Sequence, residues 1–458
     1  MNLCNAVKAK ANLLQLEPDY VCNSIWAVEM VARPVAPKCK FPGIMLAFFR
    51  ISKERVLPKN IVILCDGTSN EISENRTNVL RLYGALEKSS NQVVFYDPGV
   101  GTFGAENAWS YYYRKAIEIW GLATGWGLDA NVKEAYKFLT EHYDDGKRPD
   151  GTDEGPDQIY IFGFSRGAYT ARVLAGFIHA VGLIDTVNLN LLDYAYRAYK
   201  GVSDIKGDQQ ADGSKDPKTN PFAEVRLFER ILRPKRPAIR CLGLFDTVGS
   251  VIEMGRFGPR LRSHAFTRKN ASVECVCHAV GIDERRTMFQ PQLWPVGAEY
   301  WGGPFPTKKS KAQVVKEVWF SGVHGDVGGG YPEKNSQLAK IPLAWMIEET
   351  KKCGLKYTTR TINEIVLGKN KKKDYVAPDP LAPRNASMSF GWSMLEFIPR
   401  RLSKGYSTDR LKVFGFYIPF FEPRKIEKDA EIHPSVLMRR GTSSDYEQPN
   451  IPKSAHEI

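Results

Sequence analysis

Gly163-Phe164-Ser165-Arg166-Gly167 sets a serine between two glycines, each two residues away. Upstream, Gln158-Ile159-Tyr160-Ile161-Phe162 is a β-branched and aromatic run that reads as a buried strand; downstream, Ala168 to Ala175 reads as an unbroken helix. A serine at a sharp strand-to-helix turn is a nucleophile elbow, where a strained backbone holds the hydroxyl outward. The same geometry explains Gly163 and Gly167, because side chains there would collide across the turn. Gly167, Ala171 and Ala175 recur at every fourth position and let the helix press close against a sheet. The chemistry on offer is acyl transfer through a serine ester.

A serine hydroxyl does not attack a carbonyl unaided at neutral pH; it needs a base, and an acid to orient that base. After an elbow serine the chain order is acid, then histidine. Of the seven histidines, His142 precedes the serine, and His179 falls within or just after the elbow helix. His264 and His278 lie in ambiguous segments, His433 reads as a structural loop residue, and His456 is in the tail. His324 sits in the glycine-rich stretch Gly322 to Gly330, just past the strand end Val318-Trp319-Phe320. Catalytic groups of an open parallel sheet gather at such carboxyl ends, so His324 is the expected base. Asp246 closes the apolar run Ala238 to Phe245 and is the expected acid. Asp283 is the alternative, although Arg285 and Arg286 beside it suggest an ion-pair network. The oxyanion hole is expected at the N–H of Arg166, with Gly67 or Thr68 as second donor. Asp66 reads equally well as a turn-forming or helix-capping carboxylate.

The elements that must position these groups alternate. Asn60 to Cys65 reads as a buried strand, Asn78 to Glu87 as a helix, Gln92 to Tyr96 as a strand and Asp129 to Tyr143 as a helix before the elbow strand. Strands follow at 238–245 and 314–320, and a helix at Pro342 to Cys353. Such alternation implies an α/β fold with a mostly parallel central sheet covered by helices on both faces. Residues 1–57 form an N-terminal extension, 58–350 the catalytic domain, 351–440 a helical and loop part packed on it, and 441–458 a polar tail. Two helical pieces within 188–237 flank the polar stretch Gly201 to Asn220, a candidate lid or loop insertion. The aromatic segment Trp109 to Trp126 reads as a packed helix, with lining of an acyl site as its functional alternative.

At 458 residues, 43% hydrophobic and 25% charged, the chain has the composition of a globular protein with a sizeable core. Its net charge of +13 is spread along the chain and reads first as a solvated basic surface; with no recognisable nucleic-acid module, an anionic membrane surface is the better functional alternative. The eight cysteines are scattered, several in apolar runs, which points to reduced thiols and a cytoplasmic setting. Cys275-Val276-Cys277-His278 has no second pair after it, so no metal site is expected there. No run reaches the roughly 18 apolar residues of a membrane span, and no signal peptide is recognisable.

Taken together, Ile63 to Thr68, Tyr96 to Thr102, Gly163 to Arg172, Phe245 to Gly249, His278 to Arg286 and Trp319 to Tyr331 resemble, in order, an α/β-hydrolase domain family of fungi and bacteria. That family includes the phospholipase effectors of bacterial type VI secretion. The resemblance spans roughly 58 to 350 and continues weakly to Ile432-His433-Pro434-Ser435-Val436. It implies a serine esterase without cofactor, acting on esters or on phospholipid acyl chains. Against the secreted effectors, the resemblance leads to the expectation of a shorter chain without their large membrane-docking portion. Two other readings compete: a metal-dependent phosphoester hydrolase built on Asp66, His324 and Asp326, and a non-catalytic binding module, against which the intact Ser165, Asp246 and His324 argue.

Overall fold

The computed structural model describes residues 58–67, 75–99, 127–204, 222–248, 251–255, 258–262, 264–308, 310–370, 374–401 and 416–442, together with 408, 410–413, 446, 448, 450–452 and 456–457. The expectations for 1–57, for Thr68, for Trp109 to Trp126 and for the polar stretch 205–220 lie outside the described residues.

Eight strands form one sheet, all neighbours parallel. In chain order they are β1 (Asn60–Cys65), β2 (Gln92–Asp97), β3 (Gln158–Phe164), β4 (Ile239–Phe245), β5 (Val273–Gly281), β6 (Val314–Phe320), β7 (Glu431–Ile432) and β8 (His456–Glu457). Across the sheet the order is β8-β7-β6-β5-β4-β3-β1-β2. The chain builds outward from β1 to β2, then returns to place β3 on the other side of β1. That reversal opens a crevice beyond the carboxyl ends of β1 and β3, where open α/β sheets bind ligands.

The central strands β1, β3 and β4 are mostly apolar because both faces are covered. Along β1, Ile61, Ile63 and Cys65 pack with helices α2 (Leu128–His142), α3 (Arg166–Val181) and α4 (Leu192–Asp204). The alternate residues Val62 and Leu64 pack on the other face with α1 (Asn78–Ala85) and α7 (Lys340–Lys352). Between α4 and α7 come α5 (Ala223–Leu232) and α6 (His324–Gly328). The two helical pieces expected around the polar insertion are α4 and α5; Tyr196 and Tyr199 of α4 and Val225 of α5 join the core beneath α3. Past the matching end of the sheet, α8 (Phe390–Leu395) precedes β7, and α9 (Pro434–Thr442) follows it. Val436 of α9 closes a smaller core with Val280, Trp319 and Ile432.

Two elements depart from the sequence expectation. The stretch after β6 is not wholly a loop, because α6 begins at His324 and Asp326 accepts the Val323 N–H at 3.1 Å, capping its first turn. β5 is a nine-residue strand whose pattern is interrupted by Glu274 and His278. Both polar residues are satisfied: Glu274 by Arg240 and Lys311, His278 by Glu317. Among the described residues, no helix is long and apolar enough to cross a membrane.

Candidate active site

Ser165 lies between β3 and α3 with φ +58° and ψ −120°, a conformation L-residues seldom adopt. The glycines on either side permit it. A Cβ on Gly163 would land on the carbonyl oxygen of Gly167, and one on Gly167 would land on the carbonyl oxygens of Cys65 and Asp66. The elbow is therefore pressed onto the end of β1. The Ser165 N–H donates to the carbonyl of Phe245 at 3.1 Å, tying the elbow to the residue before Asp246.

Asp246 is fully buried and also has a positive φ, +42°. Its carboxylate is saturated. Oδ1 accepts from Gly281 N at 2.9 Å and Arg424 Nη1 at 2.6 Å; Oδ2 accepts from His324 Nδ1 at 2.5 Å and Arg424 Nη2 at 2.9 Å. Burial alone would push its pKa up, but Arg424 and His324 outweigh that and hold it well below the usual carboxylate range. Because Asp246 is a pure acceptor, Nδ1 of His324 carries the hydrogen and Nε2 is left as the basic nitrogen.

The His324 ring is held between Phe164, with centroids 4.7 Å apart, and Phe289, edge-on at 4.9 Å. Burial lowers the His324 pKa more than Asp246 raises it, which keeps the ring neutral near pH 7. Its backbone N–H donates to Glu284 at 3.2 Å. Glu284 is itself clamped by Arg286, whose charge outweighs burial and draws the carboxyl down to about 2. Phe164 adjoins Ser165, so the elbow and the His324 ring are in direct contact through it. Among the described residues, no hydrogen bond joins Ser165 Oγ to His324.

Asp283, the alternative acid, does not reach His324. Its Oδ2 accepts from Gly322 N at 2.6 Å and Tyr446 Oη at 3.1 Å, and Arg384 lies 3.2 Å from Oδ1. Its ion-pair partner is thus the distant Arg384, and its task is to fix the turn that precedes His324.

Asp66 braces its own loop: Oδ1 accepts from Gly67 N at 2.7 Å, and Oδ2 from Thr77 Oγ1 at 2.5 Å and Tyr96 Oη at 2.8 Å. The Gly67 N–H is therefore occupied, which counts against Gly67 as the second oxyanion donor. Arg166, the other expected donor, opens the sixteen-residue helix α3.

The metal-site expectation for Asp66, His324 and Asp326 fails on geometry. Asp326 is turned onto Val323 N and Asn385, and Asp66 onto Thr77 and Tyr96. Among the described residues, the group of three ligands that does converge is Cys241, Cys275 and Cys353, with sulfurs within 4.8 Å of one another. Cys277 adjoins it, its Sγ 3.8 Å from that of Cys275. These thiols sit toward the amino ends of β4 and β5, away from Ser165, and a search of the sequence for paired motifs misses them because they come from three separate elements.

Arg424 is the site residue the sequence did not disclose. It stands 178 positions beyond Asp246, yet it is fully buried against that carboxylate and also donates to the carbonyls of Gly281, at 2.7 Å, and Phe289. Nothing in Pro423-Arg424-Lys425 marks it locally. Removing one partner from such a buried pair typically costs about 3–5 kcal/mol.

The parallel sheet and its helical layers define an α/β fold. Residues 59–349 match the model of the type VI secretion system phospholipase effector Tle1-like catalytic domain, and the chain belongs to that family, a phospholipase-like hydrolase domain. An uncharacterised protein of Saccharomyces cerevisiae is 33% identical over 241 residues, 51% of this chain and 32% of the yeast protein. Among solved structures, an uncharacterised protein from Pseudomonas aeruginosa aligns with 22% identity and a TM-score of 0.34, over 66% of this chain and 46% of that one. The Tle1 effector bound to the VgrG spike aligns with 18% identity and a TM-score of 0.31, over 62% and 53%. The chain thus spans about a third of the length of its yeast relative and about half that of these structures.

Proposed function

We propose that the chain is a serine hydrolase cleaving carboxylic esters of lipids, phospholipid acyl esters foremost, through an acyl-enzyme. The observation that carries this reading is the 2.5 Å hydrogen bond from His324 Nδ1 to Asp246 Oδ2, beside a serine held at positive φ. His324 Nε2 takes the proton from Ser165 Oγ as that oxygen attacks the ester carbonyl, and Asp246 stabilises the imidazolium that forms. The Arg166 N–H, with Thr68 as the second donor, steadies the oxyanion. His324 then protonates the departing alkoxide, and a water activated by the same ring releases the carboxylic acid. Family membership supports a lipid ester as substrate.

The experiment is hydrolysis of a short-chain p-nitrophenyl ester and of phosphatidylcholine by the full chain. Free acid should be released from both, with Ser165→Ala losing roughly 10³-fold or more. Undiminished turnover by Ser165→Ala, or a wild type inert on both substrates, contradicts the reading.

A further inference from the structure

The segment between α8 and Arg424 turns apolar side chains to solvent. Phe390, Met394, Phe397 and Ile398 stand at i, i+4, i+7 and i+8, a stripe that begins on α8 and runs past its end, and all four are exposed, Phe390 to 83%. Normally such a stripe faces the core. Here the inward side of α8 is taken by other residues: Trp392 packs edge-on against Phe289 at 5.3 Å, and the buried Glu396 accepts from Thr287 N at 2.9 Å and Thr287 Oγ1 at 2.5 Å. A second set comes from the turn that follows. Leu411, 84% exposed, stands with Val413, Phe416 and Phe420, and Phe420 meets Phe397 with ring centroids 5.5 Å apart. Phe420 and Phe421 both have positive φ, +47° and +58°, which bulky residues avoid unless their surroundings impose it.

The exposed charges among the described residues of 390–425 have one sign, the acidic Glu396 and Glu422 being buried and partnered. Arg410, Lys412 and Lys425 are exposed. Exposed apolar side chains, linked through Phe397 and Phe420 and accompanied by exposed cations, match a lipid surface with anionic headgroups, apolar groups entering the acyl boundary and cations meeting phosphate and carboxylate.

The segment is also anchored to the candidate site at both ends. Trp392 touches Phe289, which touches His324; Arg424 holds Asp246. We infer that the described residues of 390–398 and 410–420 form a membrane-docking surface that seats on an anionic lipid bilayer and brings the Ser165 crevice to the interface. It lies beyond the family match, which ends at 349. The inference rests on the lipid-ester reading of the site for its purpose, but its test does not depend on turnover.

The test is co-sedimentation of the full chain with vesicles of phosphatidylcholine alone and of equal parts phosphatidylcholine and phosphatidylserine. Wild type and Ser165→Ala should both pellet with the anionic vesicles and less with the neutral ones. Phe390→Ser combined with Leu411→Ser should weaken that binding by roughly tenfold or more, and Arg410→Glu with Lys412→Glu should abolish the preference for phosphatidylserine. The two surface variants, made in the wild-type chain, should hydrolyse the soluble short-chain ester like wild type, which also shows that they fold. No binding of wild type to anionic vesicles, or unchanged binding by the Phe390/Leu411 variant, overturns the docking surface. Vesicle binding by a chain inert on esters would instead leave the surface standing and remove the hydrolase reading.

Discussion

Two histidine–carboxylate pairs lie close together at this end of the sheet, and they differ in what the second ring nitrogen meets. His278, on β5, places Nδ1 2.8 Å from Glu317, while its Nε2 accepts the Thr247 N–H at 3.2 Å. Both ring nitrogens are committed, the side chain is fully buried, and burial lowers its pKa. It clamps the residue after Asp246 and so stiffens the strand end. His324 makes the same kind of contact with Asp246 through Nδ1, yet among the described residues its Nε2 takes no hydrogen-bond partner, and Phe164, the residue before Ser165, packs on its ring. A carboxylate on one nitrogen fixes a histidine's tautomer; what the other nitrogen meets decides between a strut and a base. Arg424 sharpens the contrast, since it saturates Asp246 and leaves that carboxylate no freedom to swing away from the ring.

The largest expected effect is at the free nitrogen. His324→Ala should lower kcat by roughly 10⁴-fold or more with its thermal midpoint little changed, measured by ester hydrolysis beside a thermal melt. Asp246→Asn follows, at about 10³–10⁴-fold in kcat. It should also lose stability, because the Arg424 charge then stays buried without its partner; an unaltered denaturant midpoint would speak against the pairing. Arg424→Gln should reduce kcat by roughly 10²-fold while KM hardly moves, as expected of a positioning residue whose loss lets the imidazole drift. His278→Gln is the control for the strut: a loss of about 1–3 kcal/mol in chemical denaturation with the chemistry retained. Should His278→Gln be as inactive as His324→Ala yet fully folded, the contrast between the two pairs breaks. The smallest effect is in pH. His324 is held below the ordinary histidine value, so the imidazolium that cannot accept the serine proton forms only in acid; kcat/KM should fall with a midpoint under about 6.5. A midpoint above 7 would mean that Asp246 outweighs burial.

Much of the fold could be read along the chain because both faces of a parallel sheet are covered. Mostly apolar runs at 60–65, 158–164 and 239–245, and the apolar ends of 314–320, therefore stood out, as did two glycines of the kind a tight turn requires. Asp246 and Asp283 each close or follow a strand, so spacing alone separates them poorly; in the fold it is Asp246 that bonds the His324 ring, while Asp283 holds Gly322. β5 was harder, because Glu274 and His278 interrupt its pattern and their partners lie far away on Arg240 and Glu317. The occupation of the Gly67 N–H depends on the rotamer of Asp66, and Arg424 depends on a fold-back of 178 residues. Neither leaves a periodicity to detect. The outward stripe at 390–398 has helical spacing, but spacing alone does not say which side faces the core.

The account stands on Ser165 being the atom that carries the acyl group. Treating the full chain with a fluorophosphonate, then mapping the adduct by peptide mass spectrometry, tests this most directly. One adduct on the peptide containing Ser165, absent from Ser165→Ala and strongly slowed in His324→Ala, is the predicted result. No adduct on wild type, or one that persists in Ser165→Ala, would contradict it.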